Sequence, residues 1–142
     1  MGYTHYWKNT YPLTVNQWSD LLKTTTDIIV RSNVPVSLKS SFFMSPPFDN
    51  QSSMRSQSHI TIDGFKNDAY ETFYLTPQAV EWDCCKTAQR PYDTIVVAIL
   101  NHAAARIPGF YWSSDGKKHE HLAGLHLQDN EYCISENLRE VG

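Results

Sequence analysis

One segment constrains the fold more than any other. Between Pro91 and the Pro108-Gly109 pair, the run Tyr92 to Ile107 carries Ile95, Val96, Val97, Ala98, Ile99, Leu100, Ala103 and Ala104. These residues cover nearly every face of a helix, and a helix that is apolar all round has to lie buried at the centre of a protein. Pro91 suits its first position, where the missing N–H has no partner in any case. Pro108-Gly109 stops it. The rest of the chain must supply the layers that cover it. At 142 residues the chain has the length for a single domain with a sizeable core.

The covering elements are legible in part. Tyr3 to Lys8 reads as a strand, with Tyr3, His5 and Trp7 on one face and Thr4 and Tyr6 on the other. Thr14 with Gln17 has the form of a capping box, which predicts a helix start. Val15, Trp18, Leu21, Leu22, Thr25, Ile28 and Ile29 then recur at helical spacing to about Arg31. His59 to Asp63 alternates, Asp63 to Asp68 is rich in turn residues, and Tyr70 to Leu75 is β-type; together they predict a hairpin ended by Thr76-Pro77. Glu81 to Arg90 reads as a polar connection, and Phe110 to Ser113 as a short strand turned by Ser114-Asp115-Gly116. An amphipathic helix is expected from about His119 to Gln128. The order β-α-β-β-α-β, followed by a helix, is the split βαβ or ferredoxin-like plan. It predicts an α+β fold with one antiparallel four-stranded sheet in the order 4-1-3-2 and an extra C-terminal helix. The rival is an α+β sandwich with an added strand from Val36 to Met44. Ser45 to Ser58, with Pro46-Pro47 and many serines, reads as a loop.

Several function classes are disfavoured. The net charge is −3 and no run of like charge reaches four residues, so bulk binding to nucleic acid or an anionic membrane is not expected. No stretch approaches 18 apolar residues, and Met1 to Trp7 has neither the basic nor the apolar part of a signal peptide. Cys84, Cys85 and Cys133 form no CxxC pair and no disulfide framework, which suits reduced thiols in a cytoplasmic protein. His119, His121 and His126 lack HxxxH and HExxH spacing, so no metal is expected. Ser114 lacks the flanking glycines of a nucleophile elbow, and no phosphate-binding glycine loop is present, so no cofactor is expected.

The expected topology brings separated segments together at one end of the sheet. There the central helix offers free N–H groups and the positive end of its dipole. Lys86, Thr87 and Arg90 lie just before it and can grip phosphate or carboxylate oxygens. Tyr92, Trp112 or Tyr3 can stack on a base or sugar, and Asp93, Ser113, Ser114 and Asp115 can bond to its polar groups. His5 and Asp115 are the candidates for proton transfer. Each has a plainer role as well. Asp93 stabilises a helix start, Asp115 closes an Asp-Gly turn, Lys86 and Arg90 pair with Asp93, Asp83 or Glu81, and His5 is a satisfied core histidine. Glu71 is expected at the opposite end of the sheet, as an edge charge.

Three blocks are specific in combination: Gly2-Tyr3-Thr4-His5-Tyr6-Trp7, Cys85-Lys86-Thr87-Ala88-Gln89-Arg90-Pro91-Tyr92-Asp93, and Ser113-Ser114-Asp115-Gly116. With Glu71-Thr72-Phe73 they resemble a family of small uncharacterised proteins of bacteria and bacteriophages, whose members begin GYTHYW and carry ETF, CKTxxxPYD and SDG blocks. This chain departs from the pattern with Cys84, where an aromatic is common, and with Asp63, where Asn often precedes the hairpin glycine. The Ser-rich middle has no counterpart. The resemblance implies a phage or viral setting in a host cytoplasm, supports the site positions, and implies no activity.

The leading expectation is therefore a binding protein for a small anionic, nucleotide-like ligand. The alternatives are an enzyme acting on phosphate esters or nucleotides and a structural module that forms a homodimer or higher oligomer.

Overall fold

A computed structural model describes residues 3–38 and 59–116. The expected loop at 45–58, the far part of the 36–44 strand, the helix at 119–128, Cys133 and the last three histidines lie outside the described residues. The elements run β1 (Thr4–Asn9), α1 (Val15–Ser32), β2 (Val36–Leu38), β3 (Ile60–Gly64), a 3₁₀ turn (Lys66–Asp68), β4 (Phe73–Leu75), β5 (Val80–Lys86), α2 (Asp93–Arg106) and β6 (Phe110–Ser114).

The molecule is an α+β protein in which two helices accompany two small antiparallel three-stranded sheets, β5-β1-β6 and β2-β3-β4. The single four-stranded sheet expected from the sequence is not what forms. Two of its pairings are present: the first strand lies beside Phe110–Ser114, and the hairpin strands β3 and β4 pair. The third pairing differs. Beside β1 lies Val80–Lys86, most of which reads from sequence as a connection. The reason is a β-bulge. Trp7 faces Asp83 and Asn9 faces Val80, so Lys8 alone is opposed by both Glu81 and Trp82. The extra residue breaks the period-2 alternation that marks a strand, and only Cys85 of the seven is buried.

Local chemistry explains the other elements. Gln17 N donates to Thr14 Oγ1 at 3.1 Å and Thr14 N donates to Gln17 Oε1 at 2.8 Å, which closes the capping box and starts α1. Asn33, in the left-handed region at φ 56°, ends it. The β3–β4 hairpin is tied by one carboxylate. Asp63 accepts from Gly64 N (2.7 Å), Tyr70 N (3.0 Å) and the Thr72 hydroxyl (3.1 Å). At the far end of α2, Gly109 holds φ +84°, and a Cβ there would press on the Tyr11 ring.

As its composition requires, α2 is the central element. Ile95, Val96, Ala98, Ile99, Leu100 and Ala103 are fully buried in a core shared with Trp7, Trp18, Leu21, Leu22, Ile28, Phe73 and Phe110. Each large aliphatic chain so buried contributes about 1.5–3 kcal/mol, so tertiary packing rather than propensity sets the helix in place. His102 Nε2 of α2 stands 3.7 Å from Asp20 Oδ2 of α1.

Candidate functional site

The residues singled out in the sequence divide between the two faces of sheet β5-β1-β6. Strand alternation makes the division. His5, Trp7 and Asn9 point toward the core, whereas Tyr6 and Lys8 point away.

On the inner face, His5, Thr87 and Asp93 come together. His5 Nε2 donates to Asp93 Oδ1 at 2.5 Å, and the Thr87 hydroxyl donates to the same oxygen at 2.6 Å. His5 and Thr87 have no exposed surface, and Asp93 retains 6%. Asp93 also sits in the first turn of α2, where a carboxylate meets the positive end of the helix dipole. The cluster pins β1 and the β5–α2 connection to the start of the central helix. The Tyr3 and Trp112 rings stand edge-on around His5, with centroids 5.3 and 5.9 Å away. Tyr92 is also buried, and its hydroxyl donates to the Glu71 carbonyl at 2.5 Å. Burial, then the neighbouring Cys85 thiol and acidic groups, holds the Tyr92 phenol far above its usual pKa. The Cys85 thiol donates to the same carbonyl at 3.5 Å, and burial pushes its pKa up to about 12. Expected as ligand contacts, Thr87, Tyr92 and Asp93 are spent on interior bonds. An interior needs its polar groups paired: Thr87 pairs with Asp93, Asp93 also with His5, and Tyr92 with the Glu71 carbonyl.

Between β5 and α2 the chain makes a tight turn. Arg90 N donates to Thr87 O at 3.0 Å, and the two central residues, Ala88 and Gln89, hold φ 53° and 56°. Two successive positive values are the mark of a primed turn. Lys86 N donates to Glu71 Oε1 at 2.7 Å, and Glu71 N donates to Lys86 O at 3.3 Å. Glu71 therefore lies beside Lys86, not at the opposite end of the sheet as expected, because β5 runs next to the start of β4. The Arg90 guanidinium stands 5.7 Å over the Tyr70 ring. Among the described residues, neither Lys86 nor Arg90 forms an ion pair with Asp83, Glu81 or Asp93.

The outer face is aromatic and open. Tyr6 lies opposite Cys84 on one side and Ser113 on the other, and Lys8 lies opposite Tyr111. The Tyr6 and Trp82 rings approach to 6.1 Å at a 35° tilt, and Lys8 Nζ stands 5.3 Å over the Tyr111 ring. Trp82 is 64% exposed and Tyr111 58%. The bulge brings Glu81 and Trp82 to the same groove, a cavity of about 290 Å³ lined by these residues together with Trp7, Trp112 and Ser113. The Tyr6 hydroxyl donates to both oxygens of Asp115 at 3.3 Å. Loss of water contact, and next the Asp115 charge, raises its pKa. Ser113 faces this groove, whereas Ser114 takes the alternate face, opposite His5, and accepts from Gly116 N at 2.9 Å.

Four residues of this face went unselected in the sequence: Tyr6, Lys8, Trp82 and Tyr111. Alternation along β1 carries the signal for the first two. For Trp82 no signal is available without the bulge. Among the described residues no helix is long and apolar enough to cross a membrane, and no group of three or more His, Cys, Asp or Glu side chains is placed to hold a metal ion. No family model, no curated protein and no solved structure matches the chain.

Proposed function

We propose that the chain is a binding protein for a small anionic, nucleotide-like ligand whose ring lies against the open face of sheet β5-β1-β6. One observation carries this reading: Tyr6, Trp82 and Tyr111 stand together on that face, two of them more than half exposed, with the Lys8 ammonium among them. Exposed aromatic groups gathered on a groove mark an interaction surface. A base stacked on such a ring gains about 1–3 kcal/mol. Lys86, Ser113 and Asp115 belong to the same face and extend it toward the end of β1.

The enzyme alternative has less support. General acid–base catalysis needs a group within about 2.6–3.2 Å of the proton it moves. His5 is fully buried on the inner face, and Asp115 is exposed beside Tyr6 on the outer one. The oligomer reading draws on the same exposed rings, with a second copy as the occupant. In this proposal the fold is a ferredoxin-like variant in which β5 takes the place of the third strand. The order β6-β1-β5 and the Glu71–Lys86 bond joining β5 to the start of β4 support it.

Titration with nucleoside monophosphates, followed by tryptophan fluorescence and calorimetry, tests the function. Quenching by micromolar to millimolar nucleotide is expected, and Trp82→Ala or Tyr111→Ala should weaken it about tenfold or more. Absence of heat and quenching, or affinity unchanged by both substitutions, refutes the reading. A dimer in sedimentation that Trp82→Ala dissociates assigns the face to a second copy instead.

A further inference from the structure

The Asp115 carboxylate stands at the end of the aromatic face, fixed in place but little used. Its backbone is anchored, because Asp115 N donates to the Thr4 carbonyl at 2.9 Å. The turn that the sequence assigns to its side chain is closed by a different residue, with Gly116 N donating to Ser114 Oγ. Among the described residues the one hydrogen-bond donor to the carboxylate is the Tyr6 hydroxyl, a single proton shared between two oxygens at 3.3 Å each. An ionised carboxylate has about four lone-pair sites, so both oxygens keep room for further donors. Asp115 is exposed, and so is Ser113, two residues back on the same face. Tyr6 ties this carboxylate to the stacking surface. Its ring lies 6.1 Å from the Trp82 ring, and its hydroxyl reaches Asp115. A flat ring stacked on this pair is one phenol length and one hydrogen bond from the carboxylate. That is also the reach from a base to the hydroxyls of its own sugar. Lys86 and Asp115 flank Thr4 on either side of β1, so cation and carboxylate stand about 10 Å apart at their Cα atoms.

We propose that Asp115 reads the sugar of the ligand, so that the site takes ribonucleotides in preference to their 2′-deoxy forms; the inference rests on the nucleotide-binding reading above. The 2′- and 3′-hydroxyls of ribose lie side by side. Each donates to one carboxylate oxygen, a paired and charge-assisted arrangement. A 2′-deoxy sugar brings one donor in place of two. The 2′-hydroxyl is the group by which a protein tells the two sugars apart. The same carboxylate repels phosphate, which sends a 5′-phosphate to the Lys86 side of β1 and disfavours a 3′-phosphate. Selection thus comes from repulsion as well as attraction.

AMP, GMP, CMP and UMP each share base and phosphate with their 2′-deoxy forms, so paired affinities compare the sugars alone. The 3′-phosphate isomers move only the phosphate. In calorimetry at fixed salt, the ribose 5′-phosphate should bind about tenfold tighter than either counterpart. Asp115→Ala should bring all three to within about twofold of one another. Asp115 is exposed, so this variant should melt close to the wild type. Tyr6→Phe serves as a second variant. It keeps the stacking ring and removes the bond that orients Asp115, so it should narrow the ribose preference and leave 2′-deoxy binding within about twofold of wild type. Equal binding of the ribose and 2′-deoxy forms by the wild type overturns the sugar assignment and leaves the binding face standing. A preference unmoved by both substitutions overturns it as well. If no nucleotide of either kind binds, the nucleotide reading fails and this inference falls with it.

Discussion

Asp93→Ala should be among the most damaging single substitutions in this chain. One oxygen of Asp93 accepts from both His5 Nε2 and the Thr87 hydroxyl, and neither donor has exposed surface to reach water. Removing the acceptor strands two buried donors at about 1–3 kcal/mol each. It also removes a first-turn carboxylate from α2, a further loss of about 0.3–1 kcal/mol. The expected total is about 3–5 kcal/mol, a large fraction of the roughly 5–15 kcal/mol that holds a domain together. Asp93→Asn keeps an acceptor oxygen and should lose about half as much. Urea unfolding at fixed pH, followed by circular dichroism, reads both values, with the slope of each transition unchanged. Thr87→Val supplies the decisive second measurement. In the wild type it breaks a buried bond, but in the Asp93→Ala background it removes a hydroxyl that is already orphaned. The pair should be non-additive by about 1 kcal/mol or more. Additivity within about 0.3 kcal/mol, or an Asp93→Ala loss below about 1 kcal/mol, would refute the pinned-cluster account. Affinity at the outer face should be untouched by Asp93→Asn, because the sheet separates the two.

Two pH-linked predictions follow from burial. His102 is held below its ordinary pKa, first by burial and then by Arg106, with Asp20 opposing. The unfolded chain therefore binds this proton more readily than the folded one. Stability should be lost as pH falls below about 6.5, and His102→Gln should flatten that part of the profile in thermal melts from pH 7.5 to 5. The Cys85 thiol, raised to about 12 by burial and then by Glu71 and Asp63, favours its protonated form in the fold. Its contribution is complete below pH 9 and declines from there toward 12. In a Cys84→Ser, Cys133→Ser variant the remaining thiol should resist a thiol-reactive dye at pH 8 until denaturant is added; rapid labelling of the native protein would count against it.

The helices were open to reading because their signals are local. Thr14 and Gln17 are three residues apart, and the apolar run of α2 needs no partner to declare itself. The same holds for the β3–β4 hairpin, where Asp63 reaches only as far as Thr72. Strand β5 was hidden because the bulge at Glu81 and Trp82 breaks its alternation. The site divided for a related reason. Lys86, Thr87, Asp93, Ser113 and Asp115 lie near one end of sheet β5-β1-β6, although the single sheet from which that grouping is expected does not form. Which of them faces water depends on strand register, and register is set by pairings across 70 to 110 residues of chain, roughly the reach of a whole domain. Composition and spacing carry no record of that choice. Polar residues near a helix start look alike in sequence whether they meet a ligand or one another.

Strand β1 is the middle strand of its sheet, yet neither of its neighbours is close in the chain. Tyr6 and the Asp115 it bonds are separated by 109 residues. On a ribosome that adds about 5–20 residues each second, this strand waits roughly 5–20 s for its second neighbour to be made. The hairpin tied by Asp63 is meanwhile complete within itself. Synthesis thus proceeds around an early, unpaired strand rich in tyrosine and tryptophan. The centre of the sheet is the first part made and the last part closed.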